Sequence, residues 1–107
     1  MNTKSFTFIT AAIAIAVIVF FSGCHKTPTA CCEVSKTTAA VNEQIAFDAS
    51  CSKNADNCEW DFGDGTKSRD FKTAHAYAAI GQYTVSLMTM SGNGKKMDEI
   101  KKTITIQ

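Results

Sequence analysis

The chain has 107 residues, with 11 basic against 10 acidic side chains, five cysteines and a single proline. That length allows one small domain and not two. The near-neutral balance lacks the basic face that nucleic-acid binding requires.

The opening "MNTKSFTFITAAIAIAVIVFFSGC" reads as a targeting segment. Lys4 supplies a positive start, 6–21 is an apolar run broken only by Thr7 and Thr10, and Ser22 and Gly23 precede Cys24. Sixteen residues fall short of the roughly 20 a spanning helix needs. The ending resembles a bacterial lipoprotein signal, with small residues before a cysteine that becomes the lipidated first residue. Phe21 stands where an aliphatic residue is more usual. Acyl chains anchor through about 0.8 kcal/mol per buried methylene, so a multiply acylated Cys24 holds stably. An uncleaved membrane helix and ordinary secretion are the alternatives, and all three send 25–107 out of the cytoplasm. Cleavage leaves 84 residues, 24–107, with ten basic and ten acidic side chains. His25 stands where an aspartate would signal inner-membrane retention in enterobacterial sorting. No acidic export tag follows closely. The expectation is an outer-membrane lipoprotein on the periplasmic face.

Residues 24–32, with the proline, read as a lipidated cysteine and tether of about 35 Å reach. The domain is expected at 33–107. Its apolar residues alternate rather than follow a helical period. "QIAFDAS" puts Ile45, Phe47 and Ala49 on one face, and "CEWDF" puts Trp60 and Phe62 together. "QYTVSLMTM" aligns Tyr83, Val85 and Leu87, and "IKKTITI" aligns Ile100, Ile104 and Ile106, with Lys102 the exception. Turn signals separate these runs at 52–57, 63–65, 79–82 and 91–96. Strands with one apolar face must cover it with a second layer, so an all-β two-sheet sandwich follows.

The acidic stretch "CEWDFGDG" (58–65) admits three chemical readings. A calcium loop needs oxygen ligands at alternate positions, where Gly63 and Gly65 stand. A kinase Asp-Phe-Gly triplet needs companion loops that are missing from so short a chain. Asp61 and Asp64 as an acid–base pair lack an evident partner. As structure, Asp64-Gly65 suits a hairpin turn with positive φ, and Gly63 relieves the strand end. Trp60 and Phe62 then face inward.

"WDFGDG" (60–65), "HAY" (75–77) and "GQYTVSLMTM" (81–90) together resemble the PKD domain, the immunoglobulin-like sandwich of polycystic kidney disease protein. The matching positions are Trp60, Asp61, Phe62, Gly63, Asp64, Gly65, His75, Tyr77, Gly81, Tyr83 and Val85. Asn42 replaces a usual glycine, and the cysteines around 51–58 are additional. The resemblance implies about seven strands, with Trp60 in the core and Tyr83 placed like a tyrosine corner. His75 reads as a hydrogen-bonded structural residue rather than a metal ligand or base, and Tyr77 and Tyr83 as core-edge residues.

Besides Cys24, four cysteines remain, with three possible pairings. An oxidising compartment makes bridges plausible. Cys51 and Cys58 flank one loop, and a bridge between them is worth about 2.5 kcal/mol on the chain-entropy model. Cys31 and Cys32 are left free, paired with another chain, or with one of them replacing a partner in that bridge. Four thiolates around zinc are disfavoured because the adjacent pair lacks the usual two-residue gap.

The functional expectation is a non-catalytic, lipid-anchored protein-binding or assembly module without a cofactor. A glycan-binding module, or an accessory to a polysaccharide- or protein-degrading system, is the alternative; calcium in the loops stays open. Both rest on the resemblance, since a fold does not name its ligand.

Overall fold

The computed structural model describes residues 26–107; the expected signal segment and the lipidation site Cys24 lie outside the described residues. Eight strands form among the described residues: β1 (Glu33–Val34), β2 (Thr38–Ala39), β3 (Ile45–Asp48), β4 (Asn57–Asp61), β5 (Lys67–Ser68), β6 (Lys72–His75), β7 (Gly81–Met90) and β8 (Met97–Ile106). They make a three-stranded sheet ordered β1-β3-β6 and a five-stranded sheet ordered β2-β8-β7-β4-β5. Only β2 against β8 is parallel; every other pair is antiparallel. The architecture is the immunoglobulin-like sandwich.

The alternation of each long strand decides what the two layers share. Ile45, Phe47 and Ala49 from one sheet, and Cys58, Trp60, Phe62, Val85, Leu87, Ile104 and Ile106 from the other, are buried in one cluster. Phe47 is the aromatic bridge between layers, its ring 5.3 Å from Trp60 and 5.1 Å from Phe62. Lys102 faces inward by register, opposite Val85, yet stays exposed. β8 starts at Met97, earlier than its apolar residues suggest, because the polar run Asp98-Glu99 continues the ladder opposite Thr89 and Met88.

The amino-terminal boundary differs from the expectation. Residues 28–32 are not a free tether but a strap bound to the domain. Pro28 is fully buried. Thr29 and Lys53 exchange backbone hydrogen bonds of 2.9 and 3.0 Å. The Ala30 amide donates to Asp98 at 2.8 Å, and the Cys31 amide donates to the Ser52 hydroxyl at 3.0 Å.

The strap also corrects the cysteine pairing. Cys51 is bonded to Cys31, with their Cα atoms 5.4 Å apart, and not to Cys58. The reason is direction. Cys58 shares the inward parity of Trp60 on β4, is buried, and turns its sulfur toward the Arg69 carbonyl. Burial raises the pKa of the Cys58 thiol, with Asp70 adding to the effect. Burial also raises that of free Cys32, with nearby Lys102 opposing it. With Cys31 and Cys51 joined, no four-thiolate zinc site forms.

Candidate functional site

The acidic turn connects β4 to β5 through Phe62–Thr66. The Phe62 amide donates to the Thr66 carbonyl at 3.1 Å, closing a five-residue loop rather than a two-residue Asp-Gly hairpin. Within it, Asp61 accepts from the Gly63 amide at 3.0 Å. Asp64 Oδ1 accepts from the Thr66 amide at 3.1 Å and from its hydroxyl at 2.6 Å. These are the local bonds that short acidic side chains make in turns. Gly63 and Gly65 adopt φ of +83° and +95°. Gly63 is more than relief at a strand end: a Cβ there would lie 2.6 Å from the Thr84 carbonyl oxygen of β7.

The turn folds back onto the end of β6 and brings Asp64 to His75, eleven residues away in sequence. Asp64 Oδ2 lies 2.7 Å from His75 Nε2, and the Thr66 hydroxyl lies 3.3 Å from that same nitrogen. The His75 ring stacks on Phe62 at 4.3 Å with planes 9° apart, and meets Tyr77 edge-on at 4.7 Å. Tyr77 in turn stacks on Tyr83 at 4.2 Å. Tyr77 is fully buried, not at the core edge, and its hydroxyl donates to the Phe62 carbonyl at 2.8 Å. Burial lifts the Tyr77 phenol far above its ordinary range, with Asp64, Tyr83 and Asp61 adding to it. The Tyr83 hydroxyl donates to the Ala79 carbonyl at 2.8 Å, four residues upstream, which is the bond of a tyrosine corner.

An acid, an imidazole and a hydroxyl therefore meet, a grouping that demands a chemical test. In an activated nucleophile the hydroxyl bonds one ring nitrogen while the acid orients the ring through the other. Here Thr66 and Asp64 both approach Nε2, and the Thr66 hydroxyl is already committed to Asp64. The proton has no route across the ring from nucleophile to acid. The trio acts as a clasp that locks the turn to β6. The sequence pointed to Asp64 and His75 but not to Thr66, and not to their meeting, since Asp64 and His75 sit on different segments.

The clasp has an acid-sensitive consequence. Burial opposes ionisation of Asp64, but hydrogen bonds from Thr66 and His75 outweigh it and hold the carboxyl below its ordinary value. A carboxylate depressed in the folded state stabilises above its unfolded pKa, and that contribution is lost as pH falls through the folded value. Melting temperature should thus fall on acidification below about pH 4, the ordinary aspartate value. Asp64→Asn should flatten that limb of the curve; parallel curves for the two proteins would refute the clasp's role.

At the opposite end of the sandwich a polar recess is lined by Lys26, Ser52, Asn54, Asp56, Ser91 and Gly92. It lies between the strap, the disulfide-bearing loop and the β7–β8 turn. Nothing in the alternation of the strands signals it. Among the described residues, no three His, Cys, Asp or Glu side chains gather as metal ligands do.

Comparison with known proteins covers the same stretch. The PKD domain family matches residues 25–106. Collagenase ColA of Clostridium perfringens is 39% identical over 77 residues, covering 68% of this chain. Collagenase ColA of Bacillus cereus is 35% identical over 71 residues, covering 63%. The chain spans only 7% of the length of either collagenase. Among solved structures, a protein from work on the promiscuous specificity of carbohydrate-binding modules of the β-sandwich superfamily aligns with a TM-score of 0.71 and 25% identity, over 78% of this chain and 35% of that one. The PKD1 domain of Vibrio anguillarum Epp aligns with a TM-score of 0.63 and 23% identity, over 78% of this chain and 96% of that one. The PKD1 domain of the Vibrio cholerae metalloprotease PrtV shares the fold with a TM-score of 0.63 and 22% identity, over 77% of this chain and 99% of that one.

Proposed function

We propose, from the premise that this chain belongs to the PKD domain family, that it is a non-catalytic binding or assembly module held at a bacterial envelope by lipid on Cys24. The observation that carries the non-catalytic part is the shared nitrogen of His75. Both the acid and the hydroxyl are spent on it and on each other, so the motif's polar groups hold the fold and leave recognition to other surfaces. A protein partner is the first reading. The sandwich placed on an outer membrane, on its periplasmic face, would present such a partner with a rigid domain.

The docked strap sharpens the geometry of anchoring. Only Cys24 to Thr27 remain to span from lipid to buried Pro28, a reach of roughly 14 Å rather than 35 Å. The disulfide end of the sandwich would then face the bilayer. The end carrying the β2–β3 and β6–β7 turns, where Ile80 is 71% exposed, would face away from it.

A glycan ligand is the second reading, favoured by the likeness to the protein from the carbohydrate-binding-module work. The likeness to collagenases supports an accessory role beside a protein-degrading system, though it covers 7% of those enzymes.

Crosslinking of the full chain in intact cells, followed by capture from envelope extracts and a glycan array, tests this reading. Wild type should fractionate with membranes and Cys24→Ser should not. A specific protein should co-purify, and Asp61, Asp64 and His75 changed together to Ala should lower the melting temperature without abolishing any turnover. A stably folded triple variant that loses a measurable hydrolytic activity would overturn the module, and equal membrane fractionation of Cys24→Ser would overturn the anchor.

A further inference from the structure

We propose that Met88, Met90 and Met97 form a thioether site for a soft monovalent metal ion, of the Cu(I) or Ag(I) class. The chain has four methionines, and apart from Met1 all of them lie on the outward face of the five-stranded sheet. Even-numbered positions of β7 point away from the core, as the buried Val85, Leu87 and Thr89 between them show. Met88 and Met90 are therefore outward neighbours two residues apart. Met97 is the direct cross-strand partner of Met90.

Direct antiparallel partners bring their Cβ atoms to about 5 Å, and diagonal neighbours to about 7–8 Å, within reach of long side chains. Three flexible thioethers so placed can converge on one point above the sheet. Elsewhere this face is polar: Gln82, Thr84 and Ser86 on β7, and Glu99, Lys101, Thr103 and Thr105 on β8. Methionine is ordinarily spent filling gaps in cores, and here the core takes none. Met97 is 55% exposed, while Met88 and Met90 are half-buried although their strand's outward side carries no second layer.

Thioether sulfur is a soft, neutral ligand that selects Cu(I) over zinc, magnesium or calcium. A cation bound by three neutral sulfurs keeps its charge, and the row beside Met90 places Glu59 and Glu99 on either side of Met88. Glu59 also meets Arg69 at 3.5 Å, whereas Glu99 lies directly across from Met88 on β8.

The test is a titration of the full chain in detergent micelles with silver nitrate, in chloride-free buffer, reading the methionine methyl resonances. Cys32→Ser is the background, since a half-buried thiol would compete for the ion. One equivalent of Ag(I) should shift all three methyl signals together, and zinc should shift none. Met90→Leu, and separately Met97→Leu on the more exposed side chain, should each weaken Ag(I) binding at least tenfold while amide spectra stay folded. Copper(I) held in competition with a chelator should follow silver. A shift confined to Met97, uptake at Cys58 with silent methyls, or affinity unchanged by either leucine variant would overturn the site.

Discussion

Trp60→Ala is expected to cost about 3–5 kcal/mol of folding stability. The side chain is fully buried and fills the space between layers, 5.3 Å from Phe47 of the opposite sheet and stacked on Phe62 just beyond the end of its own strand. No neighbour is free to move into the void, because Phe47 across the core and Leu87 beside Trp60 in its own sheet sit on strands paired on both sides. A second loss adds to the first. Trp60 Nε1 donates to the Asp70 carbonyl at 2.9 Å, in the crossover that carries the chain from one sheet to the other. Truncation leaves that carbonyl without its donor. For a domain of this size total stability is about 4–12 kcal/mol, so the variant should be largely unfolded near the melting temperature of wild type. Urea denaturation followed by far-ultraviolet circular dichroism measures it, since the fluorophore itself is removed. Trp60→Phe should lose less. A loss below about 1 kcal/mol for the alanine variant would mean the ring is not sandwiched between the sheets.

Breaking the Cys31–Cys51 bridge should cost about 3 kcal/mol, the chain-entropy value for the 20-residue separation. The effect should be the same for Cys31→Ser, Cys51→Ser and reduction of wild type, because all three release the same loop. It should also free the strap, so amide exchange should accelerate at Thr29, Ala30 and Lys53 more than in the strands. Cys58→Ala removes only a small buried sulfur, and should cost about 1 kcal/mol with no sensitivity to reductant lost. Non-reducing peptide mapping gives an independent readout: a fragment joining Cys31 to Cys51, with Cys32 and Cys58 alkylated. Equal losses for Cys51→Ser and Cys58→Ala, with Cys31→Ser silent, would restore the Cys51–Cys58 pairing and remove the strap from the domain.

The strap and the clasp show how far local pattern reaches. Ile45, Phe47, Trp60, Phe62, Val85 and Leu87 could be assigned inward from the sequence, because side chains alternate with period two and a one-residue slip would expose every one of them. The sandwich followed, since such faces must be covered. The two-residue strands β1, β2 and β5 carry no period at all, and owe their existence to longer partners. Their residues gave no local sign of it.

What the sequence by itself determined is the inward face of each long strand, the need for two layers, and the aromatic and glycine motif that places the chain in its family. Only the tertiary structure decided the meeting of Asp64, Thr66 and His75, the docking of Pro28 to Cys32, the choice of Cys31 over Cys58 as partner of Cys51, and the gathering of the methionines across β7 and β8. The physical reason is that alternation is a property of one strand, whereas each of these contacts joins segments whose distance and direction are set by register and by how the sheets stack.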